Sequence, residues 1–190
     1  MGRKIMNQHT AALEYAEYKW SVIPIRAREK RPLIRWHEYQ QRCATIDEIN
    51  QWFRRWPDIN IAIVTGSISG IVVLDIDPRH GGDKSLAEWE QEQDPLPQTV
   101  EVKTGGGGRH LYFKHPGGEI HNRVGLAPGI DSRGDGGCIV VPPSIHPSGK
   151  VYRWVKGHAP GELPMAKMPK WLLKKVTGKN PGSGHSVEYG

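Results

Sequence analysis

The run Ile71-Val72-Val73-Leu74-Asp75-Ile76-Asp77 constrains this chain more than any other stretch. Its apolar residues are mostly β-branched, which favours a strand buried on both faces. Such a strand does not ordinarily close on carboxylates, yet this one ends in Asp75 and Asp77. Residues two apart in a strand point to the same face, so the two acids project side by side with about 6–7 Å between their Cα atoms. Paired carboxylates so disposed suit hard, oxygen-seeking divalent cations, and two such ions about 3.5–4 Å apart are a common device of phosphoryl transfer. The competing reading is a pair of solvated acids capping the turn that follows, because D-x-D is short and recurs in unrelated enzymes.

Composition narrows the setting. A chain of 190 residues can form one sizeable domain, or a domain with a tail, and 23 Gly and 15 Pro imply many turns and long loops. A net charge of +6 favours polyanionic partners without identifying one. Cys43 and Cys138 lie far apart and make neither a zinc ligand set nor a disulfide framework, which fits a reducing cytoplasm. No apolar stretch approaches the roughly 18 residues of a membrane span, and the N-terminus lacks a signal-peptide core. The expectation is a soluble, cytoplasmic protein with no membrane partner.

Residues 1–9 read as a frayed terminus, and a first helix is predicted over Thr10–Trp20 with Leu13 and Ala16 on one face. Ser21–Ile25 reads as a short strand, which Pro24 assigns to a sheet edge. Arg26, Arg28, Lys30, Arg31 and Arg35 then make a basic loop, either solvated surface or a contact for the phosphates of a nucleotide or template. Thr45-Ile46-Asp47-Glu48 has the capping-box pattern, and Ile49, Trp52, Phe53 and Trp56 follow at helical spacing, as core rather than as a base-stacking platform. Asn60–Val64 is another strand, and the turn Thr65–Gly70 predicts a hairpin with the Asp75 strand. Asp83 is placed to N-cap a helix running to about Gln93. Thr99–Lys103 and Leu111–Lys114 read as hairpin partners, so the order suggests a βαβ unit inside an α+β sandwich.

The loop within that hairpin, Thr104-Gly105-Gly106-Gly107-Gly108-Arg109-His110, frees the backbone for close approach to a ligand. It is neither a P-loop nor G-x-G-x-x-G, and a floppy hairpin tip is its plain alternative. Arg109 and His110 nevertheless enter the next strand as two phosphate-binding donors. Residues 116–136 are glycine-rich and weakly periodic, Cys138–Val141 is a buried strand, and His146-Pro147-Ser148-Gly149 a turn before a strand at Val151–Val155. Asp131 is placed to reach Asp75 and Asp77, with loop capping as its plain alternative and Asp135 as a competing candidate. Pro169–Val176 reads as a last helix, and from Thr177 nothing has a pattern to pack.

At this point the chain resembles the bifunctional primase–polymerase domain of the archaeo-eukaryotic primase superfamily, as found in phage and plasmid replication proteins, from about Leu13 to Trp154. The resemblance rests on an apolar strand ending in Asp75 and Asp77, on Gly108-Arg109-His110, on Ile130-Asp131, and on two flanking runs, Lys30-Arg31-Pro32 with Trp36 and Gly136–Ser144. It implies an α+β fold in which an N-terminal αβ unit packs on an RRM-like catalytic half, with 10–176 as the catalytic domain and 177–190 as a flexible tail or linker. It further implies DNA primase and DNA polymerase activity, a template-dependent nucleotidyltransferase of DNA replication. Asp75, Asp77 and Asp131 would hold two Mg2+ or Mn2+ ions. His110, Arg109, Gly108, Lys103, Arg133 and Ser144 would bind the dNTP or NTP, and Arg28, Arg31 and Arg35 the single-stranded DNA template with its primer. A helicase or primase-helical domain C-terminal to this segment belongs to the same expectation. Gly108 stands where the superfamily commonly has Ser, and the zinc-binding stems of some relatives have no counterpart here.

Two other classes remain compatible with the residues. A D-x-D nucleotide-sugar transferase would use metal and diphosphate without a template. A non-catalytic single-strand-binding module would bind DNA equally well without metal.

Overall fold

The computed structural model describes residues 7–178. Helix α1 (Gln8–Glu17) leads into strand β1 (Ser21–Ile25), a 3-10 turn at His37–Gln40, helix α2 (Ile46–Arg55) and strand β2 (Asn60–Val64). Strand β3 (Ile71–Ile76) is followed by a 3-10 turn at Pro78–His80 and helix α3 (Gly82–Glu92). Then come β4 (Glu101–Lys103), β5 (Arg109–Lys114), β6 (Arg123–Ala127), β7 (Ile130–Arg133), β8 (Cys138–Val140), β9 (Arg153–Trp154), β10 (Ala166–Lys167) and helix α4 (Lys170–Thr177). The fold is α+β.

The strands divide between two sheets. The smaller has the order β1-β2-β8, all antiparallel, and β1 lies at its edge, as Pro24 requires. The larger runs β6-β7-β3-β5-β4-β9, with β10 added in parallel to β5. Both β3 and β4 are antiparallel to β5, which lies between them, so β3–α3–β4 is a parallel crossover split by an inserted strand, the arrangement of an RRM-like half. The smaller sheet with α1 and α2 is the N-terminal αβ unit.

Strand alternation assigns the two cores. Ile71 and Val73 of β3, with Val102, Tyr112 and Tyr152, join the core shared with the smaller sheet. Val72, Leu74 and Ile76, with Leu111, Phe113 and Ile130, pack instead against Leu86 and Trp89 of α3 and Leu172, Leu173 and Val176 of α4. The strand is buried on both faces because a layer covers each.

Several local expectations are met for the stated reasons. Thr45 Oγ1 accepts from Glu48 N at 3.2 Å while the Glu48 carboxylate accepts from Thr45 N at 2.8 Å, completing the capping box. Trp52 and Phe53 are buried in the core and Trp56 packs against it. Other expectations are corrected. Gln8 and His9 are helical rather than frayed: His9 stacks on Phe53 and bonds Asn50 at 2.7 Å, and Ala11, Ala12 and Tyr15 form the most buried face of α1. The turn after β2 makes no hairpin. It carries the chain from one sheet to the other, because β2 is already flanked by β1 and β8. The glycine-rich stretch holds the β6–β7 hairpin, whose bulged register between Arg123 and Ala127 defeats simple periodicity. Helix α3 starts on Gly81 in the left-handed region, with no capping by Asp83. Thr177 is the last residue of α4, while residues 1–6 and most of the expected tail, 179–190, lie outside the described residues.

Where β3 leaves the sheet, three backbones cross closely. Asp77 N donates to Gly129 O at 2.8 Å, and Gly82 N donates to Asp77 O at 2.9 Å. Gly129 has φ +71°, and a Cβ there would fall 2.6 Å from Asp77 O. Gly129→Ala is therefore expected to cost about 2–4 kcal/mol, or roughly 5–10 °C in melting temperature, through a left-handed residue and a backbone clash together. A thermal melt within a degree of the parent would refute this account of the crossing.

Candidate active site

The register of three neighbouring strands builds the site. Asp75 on β3 faces Asp131 on β7 to one side and His110 on β5 to the other. Directly opposed residues share a face, so the three side chains form a row, with Cβ atoms about 4.5–5.5 Å apart across each pair. It lies on the face that carries Ile71, Val73 and Tyr112, where the core shared with the N-terminal unit gives way to solvent. Asp77, in extended conformation just beyond the strand, continues the alternation onto this face. Asp131, expected in a loop, is a strand residue.

Each group has a distinct environment. Asp75 sits where burial raises its pKa; Lys30 and Arg133 oppose that rise, and the Asp131 and Asp77 carboxylates add to it. His110 Nε2 lies 3.6 Å from its Oδ1. Burial pushes the His110 imidazole down to about 3, with Lys30 and Arg133 acting in the same direction. A neutral ring at that distance makes no ion pair with Asp75. His110 Nδ1 is buried without a hydrogen-bond partner, and the ring lies 6.0 Å from that of Tyr152. Asp77 is gripped by Arg79 through Nε at 3.1 Å and Nη2 at 3.0 Å, and by His80 Nδ1 at 2.9 Å, which hold its carboxyl far below the usual range. Asp131 accepts from Gly125 N at 2.8 Å and from Arg133 Nη2 at 3.3 Å.

Asp135 has a different job. Its carboxylate accepts from Ser67 N at 2.8 Å, from Ile120 N at 2.7 Å and pairs with His115 at 3.3 Å. These bonds outweigh burial and lower its pKa. It ties three loops together, away from the row, and Asp131 is the carboxylate brought beside Asp75.

Three expected phosphate contacts are not brought to this face. Arg109 and His110 are consecutive in a strand, so they point oppositely; Arg109 Nε donates to Glu101 Oε1 at 2.7 Å on the face toward α3. Lys103 pairs in register with Arg109 and shares that side. Ser144 is fully buried, and its hydroxyl accepts from Ile61 N at 3.0 Å and donates to Ile61 O at 3.1 Å, which commits it to β2. Gly108 contributes backbone only: a Cβ there would fall 2.6 Å from Ile76 O, so glycine lets β5 lie close to β3. Arg133 lies opposite Val73 and is at the site. Arg28, Arg31 and Arg35 are exposed, on and beside a loop closed by Arg26 N donating to Arg31 O at 2.9 Å.

Sequence reasoning named Lys30 in the basic loop and in a recognised run without placing it in the nucleotide-binding set, yet its charge bears on Asp75, His110 and His146. It left out Arg79, set beside the acidic pair, which nothing in the sequence marked.

The acids offer hard oxygen donors on one face, two of them already raising the pKa of the third, and that chemistry fits a divalent cation. Among the described residues no three His, Cys, Asp or Glu side chains stand together as a finished metal site. Asp77 and Asp131 would have to exchange their present cationic partners for the ion. No helix among the described residues is long and apolar enough to cross a membrane.

Compared with known families, the chain matches the one described as bifunctional DNA primase/polymerase, N-terminal, over residues 12–171. No curated protein matches it.

The two candidate acids separate by stability. Asp135 has a lowered pKa, so its contribution is present above the unfolded carboxylate pKa and is lost as pH falls through the folded value. Asp135→Ala should cost about 1–3 kcal/mol at pH 7, with the difference from the parent shrinking in acid. Asp131→Ala should change the melting temperature far less. Equal losses for the two, measured by thermal melts at pH 7 and pH 3, would contradict these roles.

Proposed function

Because this chain belongs to the bifunctional DNA primase/polymerase N-terminal family, we propose that it performs template-dependent nucleotidyl transfer on single-stranded DNA, joining a dNTP or NTP to a primer by two-metal catalysis. The observation that supports this reading best is the cross-strand row Asp131, Asp75, His110, extended by Asp77 on the same face. In this reading residues 10–176 are the catalytic domain, 177–190 a tail or linker, and the protein works in the cytoplasm. Any helicase or primase-helical partner would lie C-terminal to it.

Asp75, Asp77 and Asp131 would hold the two Mg2+ or Mn2+ ions. Bound there, such ions lower the pKa of the primer hydroxyl and neutralise the triphosphate. Asp75 is the pivot, since it neighbours Asp131 across the strands and Asp77 just beyond the end of its own strand and has no competing cation at hydrogen-bond distance among the described residues. His110, neutral and walled in, would present an N–H rather than a charge to the phosphate nearest the carboxylates. Arg133 and Lys30 would add positive charge around the same point. Arg28, Arg31 and Arg35 would contact template phosphates without reading sequence. Arg109, Lys103 and Ser144 lie off this face, Arg109 bonded to Glu101, Lys103 beside it and Ser144 bonded to Ile61, so this reading assigns them no nucleotide contact.

The test is primer extension on a single-stranded template with dNTPs and Mn2+. The parent should extend, and Asp75→Asn should lose extension by at least about 100-fold while its melting temperature holds, since removing one of several crowded carboxylates relieves repulsion. A variant extending at the parent rate would sink the assignment. A parent that never extends, yet binds single strands equally with and without Mn2+, would be a non-catalytic binding module.

The template contact has its own measure. Neutralising Arg28 and Arg31 together should flatten the slope of log affinity against log salt by roughly 1–2 for single-stranded DNA. An unchanged slope would return the loop to solvated surface.

A further inference from the structure

We propose that His146 is a binding residue for the phosphate tail of the incoming nucleotide, holding it against the glycine loop together with Arg79. The inference rests on the nucleotidyl-transfer reading above and names which side chains receive one part of its substrate.

The turn at 146–149 is docked on the loop 104–108. Ser148 Oγ donates to Gly105 O at 3.0 Å, and a Cβ on Gly105 would run into the His146 side chain and Lys150 O. A Cβ on Gly106 would lie 3.1 Å from His146 Nε2 and 3.7 Å from Arg79 Nη2. The imidazole and the guanidinium therefore converge on one stretch of bare backbone, which glycine leaves clear. Both are within reach of solvent, whereas the His110 side chain is only 6% exposed.

His146 Nδ1 meets Ser148 N at 3.0 Å and Ser148 Oγ at 2.9 Å. A backbone N–H can only donate, so in the proposed arrangement Nδ1 is an acceptor, with the Ser148 hydroxyl proton shared between Nδ1 and Gly105 O and the proton of the neutral ring on Nε2, the atom beside Gly106. Burial, Lys30 and Arg79 all push this imidazole below its ordinary pKa and favour that neutral form.

Position is fixed from behind. Ser144 is bonded to both polar groups of Ile61, and Asn60 bonds Ile145 N at 2.8 Å and Ile145 O at 2.7 Å. His146 N donates to Lys150 O at 2.8 Å. The ring then lies 5.8 Å from Tyr152, which also neighbours His110, so one tyrosine spaces the two histidines. Positive charge comes from Arg79, whose anchoring by Asp77 aims it at Gly106, and from Lys30. A neutral N–H flanked by two cations over open backbone is suited to a polyphosphate oxygen rather than to a base or sugar.

The experiment uses the full chain and measures binding of inorganic tripolyphosphate and of dAMP by calorimetry at constant Mg2+, with primer extension run in parallel. His146→Phe keeps the ring and loses the N–H; His146→Gln keeps a terminal N–H and loses the ring. Tripolyphosphate should bind about 10-fold more weakly to the Phe variant and within about threefold of the parent to the Gln variant. The dAMP affinity should hold in both, and KM for the nucleotide should rise in the Phe variant with kcat changed less. Normal tripolyphosphate binding by the Phe variant, or equal loss in both variants, would overturn the proposal and make His146 a packing residue. A parent that extends primers with either result keeps the function and judges His146 alone. A parent that neither extends nor binds tripolyphosphate refutes both.

Discussion

Asp75 lies between Asp131 and His110 only because β3 pairs with β7 and β5 in one particular register. A slip of one residue on either side would turn that partner to the opposite face, since side chains alternate with a period of two. What holds the register is apolar. Val72, Leu74 and Ile76 must meet the α3 and α4 core while Ile71 and Val73 meet the core of the N-terminal unit. Burial on both faces thus carries the cost of placing three carboxylates together where two would already repel. The close crossing of Gly82 and Gly129 at Asp77 extends the same lock past the end of the strand.

The division of labour among polar residues follows from how far each is buried. Ser144, Asn60 and Asp135 direct their hydrogen bonds to backbone groups of other segments and so join stretches far apart in sequence. Asp75 and His110 have burial without such bonds. Their pKa values move in opposite directions, each toward the uncharged form, so the pair gains little from mutual attraction. Groups that are costly to bury and poorly satisfied by their own chain point to a ligand-directed site.

How much of this was legible in the sequence depends on the range over which each feature is determined. The capping box at Thr45, the edge strand at Pro24 and the buried strand ending at Asp75 are local, and the structure shows all of them. The fold class followed from their order. The β6–β7 hairpin was missed because its five-residue strand contains Gly125 at φ +68° and bulges against its partner. The turn after β2 gave no sign that its flanking strands belong to different sheets, which depends on β8 arriving more than 70 residues later. Asp75, Asp77, His110 and Asp131 were named through a motif, and the structure brings them to one face; Arg109, grouped with His110, points to the opposite face because side chains alternate along β5. Ser144 was grouped with ligand residues by its run, yet full burial gives it to Ile61.

The cations around the acids bear on how metal dependence would arise. Arg79 and His80 hold Asp77, and Arg133 holds Asp131, all at the surface, where ion pairs are weak. Asp75 has no such partner among the described residues, and burial is the largest influence on its carboxyl. In the proposed reading a divalent ion would meet one acid that gains by charge neutralisation and two that would have to release a cation first. Arg79 lies beside Gly106 and Arg133 one strand from Asp75, both where a polyphosphate brought with the ion would need positive charge. Metal and nucleotide would then support each other's binding: the ion would take the carboxylates from the arginines, and the phosphates would take the arginines from the carboxylates. Linkage would make the effect reciprocal, each ligand raising the affinity for the other by the same factor.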